Sequence, residues 1–333
     1  MNAAGAVAAG APFALALLIG AAVLAATGFS PLDVYRLMLV EGFGGERRIA
    51  ATLTAATPLL LTGLAAAVSF RAGAFNVGVE GCFFLGGLVA AVAGGRLAAP
   101  SWLIIPAALV LAAVIGALWM ALPALLRTRL AVDEVVTTLM LNFIAIGIAS
   151  WLVNGPLLAR GSANSATPPI LPAAELPRLL PPGALSAGFV LSLVLIALYG
   201  LWGPLTVGGF RSRMVGRNAR FSRAVGIEPG GVVFSAMIAS GALGGLAGGV
   251  HALGLVHRFV AGFSPGYGFT GVAIALLARN SALGVALVAI LFGALSSAGA
   301  NIQLFSDVPI EIVQILQGAV MIFAVAQFRG RRA

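Results

Sequence analysis

Long apolar runs separated by short polar turns fill most of the chain, and this pattern predicts membrane-spanning helices. The runs fall at about 12–27, 49–70, 82–94, 101–126, 135–153, 187–207, 231–253, 269–278, 283–300 and 309–327. A helix needs about 20 apolar residues to cross ~30 Å of hydrocarbon at ~1.5 Å per residue. The reading is an all-α integral membrane protein of about 10 transmembrane helices, one polytopic domain over residues 1–333. The first run has no basic stretch ahead of it, so it reads as a helix and not as a leader peptide. Residues 28–48 read as a mixed loop, and 154–187, with prolines at 156, 168, 169, 172, 177, 181 and 182, as loop or broken helix.

Two runs are too short to cross, 82–94 and 269–278, and each follows a glycine-broken segment, AFNVGVEG at 74–81 and FSPGYGF at 263–269. Paired interruptions in corresponding places of two halves point to an inverted-repeat transporter with a pathway near the membrane midplane.

Composition agrees with the pattern. The chain is 60% hydrophobic and 9% charged, where a soluble domain carries about 25% charged residues. Cys82 is the single cysteine, which excludes an internal disulfide and a cysteine-based metal site. The formal charge is +9, carried by arginine without any lysine. In a membrane protein such charge marks cytoplasmic loops and not nucleic-acid binding. With ten crossings, Arg71, Arg127, Arg129, the five arginines of 211–223, Arg279 and the three C-terminal arginines share one face, twelve of the nineteen. The positive-inside rule makes that face cytoplasmic, puts both termini on it, and turns the proline-rich loop outward.

The polar exceptions carry the chemistry. Residues 211–226, RSRMVGRNARFSRAVG, lie between two apolar runs. On one continuous helix Arg213, Arg217 and Arg220 share a face, while Met214, Phe221 and Val225 fall on another. Such a segment docks into a partner's cleft or lies at the lipid headgroups. Glu80 sits among apolar residues, where a carboxylate is costly unless it faces protein or water. It either lines a pathway or caps the helix that starts beside it. Asn76 suits a hydroxylated solute or the repair of unwound backbone. Asn142 lies eight residues past Glu134, about 12 Å along a helix, as a pathway residue or an interhelical hydrogen bond. Asp133 reads as the cap of its helix. His251 and His257 have no carboxylate or cysteine at ligand spacing, so no metal is expected. GxSxG, HExxH and Walker-type motifs are missing from the sequence, so no catalytic residue is expected and any ATP is bound by another chain.

Five stretches together resemble a known family: TPLLLTGLAAAVSFRAGAFNVGVEG (57–81), DEVVTTLMLNFIA (133–145), GRNARFSRAVGI (216–227), SGALGGLAGG (240–249) and GYGFTGVAIALLARN (266–280). They are similar to permease subunits of ABC importers, in the branch that takes up nucleosides and simple sugars alongside branched-chain amino acid permeases. The resemblance covers about 50–327. It implies a type II importer fold in a bacterial cytoplasmic membrane. It also implies a second permease subunit, ATPase subunits holding ATP and magnesium, and a substrate-binding lipoprotein. This chain itself would carry no cofactor. The coupling role then falls on 211–227, with Arg213, Met214, Arg217, Asn218, Arg220, Phe221 and Val225. A nucleoside needs a flat apolar contact for its base and amides for its ribose, which makes Phe75, Asn76, Glu80, Asn142 and Phe269 the candidate pathway. Simple sugars or branched-chain amino acids are the alternative substrates, and an ion-coupled carrier using Glu80 the alternative class. Cys82 and Thr270 depart from residues common at these places in the family, glutamine and an acid, which bears on substrate identity.

Overall fold

The structure, a computed structural model, describes residues 17–161, 164–181, 183–305, 315 and 317–319. Twelve α-helices are described: α1 (Leu17–Ala26), α2 (Pro31–Phe43), α3 (Glu46–Arg71), α4 (Val79–Arg96), α5 (Ser101–Leu130), α6 (Glu134–Asn154), α7 (Gly188–Leu205), α8 (Val207–Arg217), α9 (Ala219–Ala224), α10 (Pro229–His251), α11 (Tyr267–Leu277) and α12 (Ala282–Phe305). Among the described residues, β-type contacts are limited to two isolated bridges, Ala166–Val260 and Arg178–Ser186.

Among the described residues seven helices are long and apolar enough to cross a membrane, or eight if α1 and α2 form one bent span. The expected ten crossings are therefore not confirmed among the described residues. The last predicted helix, 309–327, and the arginines after it lie outside the described residues except at 315 and 317–319. The eighth predicted run is α11, with 11 residues, about 16 Å long and able to cross half a bilayer. The stretch read as a mixed loop holds α2, which is turned 120° from α1. Pro31 opens α2 with a preset φ and Asp33 lies in its first turn, both favourable at a helix start. The short run expected at 82–94 is Val79–Arg96, because the helix already begins at Val79 inside the glycine-broken segment.

The chain divides into two compact units, residues 57–289 and, separately, 1–56 with 290–333. In the smaller unit Leu24, Val34, Met38, Ala298 and Ile302 form one apolar cluster. There Arg48 pairs with Glu41 at 2.6 Å, and Asn301 also donates to Glu41 at 3.4 Å.

The larger unit is built around α4. From Val79 to Leu88 every residue of α4 is buried. Glycines allow α4, α5 and α10 to press together. A Cβ at Gly245 would run into the carbonyl oxygen of Ala112, and one at Gly248 into that of Phe83. Small residues at such crossings replace the hydrophobic drive that lipid cannot supply with close backbone packing. α5, α6 and α7 turn Trp102, Leu118, Phe143, Trp151 and Leu198 outward, the apolar surface a bilayer requires.

At one end of this unit the proline-rich segment packs as an ordered cap. Ile170, Ala174, Leu176 and Leu185 are buried. The Thr167, Ile170 and Leu176 amides bond to the carbonyls of Phe259, His257 and Leu253 at 2.9–3.0 Å. It thus covers the stretch where α10 gives way to a π-helical turn, Ala252–Val256. The opposite end gathers Arg71, Arg127, Arg129 and the arginines of α8 and α9, while Arg96, Arg160, Arg178 and Arg258 lie toward the capped end.

Candidate functional site

Between α3 and α4 the backbone of 74–78 leaves helical form, which strands N–H and C=O groups in an apolar interior unless side chains meet them. One face of α6 meets them. Glu134, Thr138 and Asn142 stand four residues apart and so form a single polar stripe. Glu134 Oε1 accepts the Phe75 amide at 3.2 Å, Thr138 Oγ1 the Val77 amide at 3.2 Å, and Asn142 Oδ1 the Gly81 amide at 2.8 Å. Asn142 Nδ2 also donates to the Val77 carbonyl at 2.9 Å. Asn76 folds back on its own loop, accepting the Gly78 amide at 2.7 Å and donating to Ser240 Oγ on α10 at 2.9 Å. Both asparagines are 0% exposed. Arg127 at the end of α5 locks the stripe's outer end through a 2.9 Å pair with Glu134. Asp133 Oδ1 caps α6 as expected, accepting the amides of Val135 and Val136.

The second interruption lies against the first. Glu80 is 2% exposed and accepts the amide of Gly268. The Phe269 amide and the Ser264 hydroxyl also lie near its carboxylate. Ser264 Oγ in turn accepts the amides of Gly266 and Tyr267 at 3.1 and 2.9 Å. Glu80 therefore caps a helix, but α11 and not the helix it belongs to. The carboxylate at the positive end of α11 satisfies both its unpaired donors and its dipole. His251, Phe83 and Phe263 pack around Tyr267 and the α11 entry.

The five candidate pathway residues thus separate into two groups. Asn76, Glu80 and Asn142 are buried and bonded to backbone. Phe75 and Phe269 are 38% and 40% exposed. Phe75 stacks flat on Phe70, with ring centroids 4.6 Å apart.

At the arginine-bearing end the basic segment is two helices. Thr206 caps α8 through the Gly209 amide, and Asn218 caps α9 through the Phe221 amide at 2.9 Å. Asn218 has extended backbone, φ −157°, so the expected single helical face does not form and Arg213 and Arg217 part from Arg220. Arg213 is half-buried and donates to the Gly203 carbonyl at 2.9 Å. Met214 is half-buried, and Arg217, Arg220, Phe221 and Val225 are exposed.

Sequence reading missed Arg71. Its guanidinium lies 5.4 Å from the Tyr199 ring and 5.8 Å from the Trp202 ring on α7, a cation–π clasp. A Cβ on Gly216 of α8 would strike the Arg71 carbonyl, and one on Gly73 would press on Gly216. The arginine segment thus abuts the residues that lead into 74–78. The signal in the sequence was faint, an RAG after an apolar run and a GR within the basic one. Glu134 and Thr138 were also missed, although their four-residue spacing with Asn142 was there to read. Among the described residues no three histidine, cysteine or acidic side chains group as a metal site requires.

Interrupted helices joined inside an apolar bundle are the construction of a membrane transporter. The chain belongs to the family described as branched-chain amino acid transport system / permease component, whose model matches residues 48–325. It is similar over most of its length to named relatives. The glucose ABC transporter permease protein TsgB13 of Haloferax volcanii is 33% identical over 93% of this chain and 84% of its own. The guanosine ABC transporter permease protein NupP of Bacillus subtilis is 32% identical over 94% and 91%. The nucleoside ABC transporter permease protein NupB of Lactococcus lactis is 30% identical over 93% and 88%. No solved structure matches the chain at a significant level.

Proposed function

We propose that this chain is the permease subunit of an ATP-driven importer of nucleosides, with a type II importer fold and an inverted repeat centred on the two interrupted helices. The observation that carries the reading is near full-length similarity to ABC permeases, among them those named for guanosine and nucleosides. The arginine-bearing end faces the cytoplasm of a bacterial cell, with both termini, and the proline-rich cap faces out. ATP and magnesium act on separate ATPase subunits. A second permease subunit completes the pathway, and a lipoprotein delivers the solute.

In this reading α9 docks into an ATPase cleft through Phe221 and Val225, with Arg217 and Arg220 facing acidic groups there. Arg213, Met214 and Asn218 hold the two short helices in shape. Closure of the ATPases pushes α8, and the Gly216–Gly73 contact passes the displacement to the unwound 74–78 stretch. Phe75 and Phe269 offer flat apolar walls to a base. Asn76, Glu80 and Asn142 fix the backbone that carries those walls. A sugar substrate is the second reading, favoured by the glucose permease relative.

Uptake of labelled nucleosides into vesicles holding the chain with its ATPase, second permease and lipoprotein tests the proposal. Uptake that requires ATP and that excess glucose leaves intact is the expected result. Ion-driven uptake by this chain alone would overturn the class, and competition by glucose would move the substrate to sugars. Phe221→Ala should cut uptake about thirtyfold or more at equal expression, the effect of losing an aromatic anchor that docking buries, worth ~2 kcal/mol or more. Unchanged uptake would return the basic segment to the lipid surface.

A further inference from the structure

A groove of about 840 Å³ opens beside the arginine-bearing end, between the ends of α3 and α7, the start of α8 and the first turns of α10. Its polarity is graded. The mouth carries Arg211 and Glu228 beside the buried Ser212, and the floor is Val68, Leu198, Val232, Ala236 and Ala239, with the Ser235 hydroxyl turned back onto the Val232 carbonyl. From Glu228 to Ala239 is eleven residues, about 16 Å along α10, roughly half a bilayer. Trp202 and Tyr199 line the wall, the residue types that anchor at headgroup depth. The dimensions and gradient match a lipid, head at the mouth and chain along the floor, better than a compact soluble solute.

The mouth is chemically incomplete. Ser212 is 2% exposed, and its hydroxyl has no partner among the described residues. Arg211, unlike Arg213, makes no hydrogen bond or ion pair among the described residues. Glu228 holds only long contacts, 3.9 Å to the exposed Arg223 and 3.5 Å from the Gly230 amide, at the limit of useful geometry. One cation, one anion and one orphan hydroxyl fit a phosphate beside an ammonium.

We propose that this groove is the site of one phospholipid with an ethanolamine headgroup. Its phosphate meets Arg211 and, once the buried Ser212 side chain rotates toward the groove, the Ser212 hydroxyl, its ammonium meets Glu228, and an acyl chain lies against Val232, Ala236 and Ala239. The lipid fills the wedge between α8 and the helices α7 and α10, so it sets how firmly the arginine segment bears on the rest of the larger unit.

The test is native mass spectrometry of the full-length chain released from phosphatidylcholine nanodiscs that contain stepped fractions of phosphatidylethanolamine or phosphatidylglycerol. Retention of one phosphatidylethanolamine per chain, ahead of phosphatidylglycerol, is expected. Glu228→Gln keeps an acceptor for the Gly230 amide but loses the charge, and should raise the half-saturating ethanolamine lipid fraction about tenfold. Ala239 is exposed in the groove, so Ala239→Phe should fill the floor and abolish retention, while Ala239→Ser retains it. Equal retention in Glu228→Gln and Ala239→Phe would overturn the proposal. So would a preference for phosphatidylglycerol, which would mark a purely cationic surface, or displacement by soluble phosphoethanolamine, which would mark a site for small solutes.

Discussion

Asn142→Ala is the sharpest perturbation of the unwound segment. It removes two bonds at once, to the Gly81 amide and from Asn142 to the Val77 carbonyl, in a region closed to water. A stranded buried group costs about 1–3 kcal/mol, whereas interhelical bonds in membrane proteins average ~0.6 kcal/mol because loosened groups find new partners. Here the partners are backbone atoms of a stretch that is not helical, flanked by apolar side chains, so the larger figure applies. Two groups give ~2–6 kcal/mol. The neighbouring residue supplies the probe: Cys82 is the chain's single cysteine and is 0% exposed. A thiol reagent reaches it only when this region opens, so its labelling rate follows the local opening equilibrium. A loss of ~2–6 kcal/mol raises that rate roughly thirtyfold or more. Phe143→Ala, one residue along but facing outward at 61% exposure, should leave it unchanged. An increase under about threefold in Asn142→Ala, less than ~0.7 kcal/mol, would refute the account of Asn142 as the backbone's anchor and return it to a direct role with solute.

Two further changes probe the packing around the same segment. Glu80→Ala should destabilise the chain in an SDS unfolding titration by about 1–3 kcal/mol per stranded amide of α11, and Glu80→Gln by clearly less because it keeps an acceptor for Gly268. Equal losses would mean that the charge and not the cap matters. Gly248→Ala drives a methyl into the Phe83 carbonyl and should cost ~1–3 kcal/mol in the same titration. Gly147→Ala has open space around its new methyl and should be neutral or slightly stabilising.

What could be read in the sequence was whatever is local. Apolar length set most of the crossing helices, and Asp133 announced the start of α6. Pro31 marked α2 as plainly, but the acidic and basic residues around it suggested a loop. Asn218 interrupted a basic run whose periodicity argued for one helix. Its side chain offered the next helix a cap, and a weak helix former with a capping oxygen prevailed over the charge pattern. Long-range pairing was out of reach. Glu80 could be seen as a cap, but only the fold shows that it caps α11, and Asn76 finds Ser240 on a helix 164 residues away. The division of the pathway candidates into two exposed aromatics and three buried polar groups follows from those distant partners.

The capping of α11 by Glu80 bears on how the chain is made. Glu80 and Gly268 are 188 residues apart. At ~5–20 residues per second a ribosome needs about 10–40 s to deliver the second after the first. During that interval α4 holds a carboxylate without its final partner, and the stripe of α6 arrives in time to steady only the backbone on either side of it, the amides of Phe75, Val77 and Gly81. The newborn protein therefore has to shelter Glu80 in the insertion machinery until the serine–glycine turn of the second half emerges. A chain cut short before residue 268 would leave that debt standing, and cellular quality control would read it as an unfinished membrane protein.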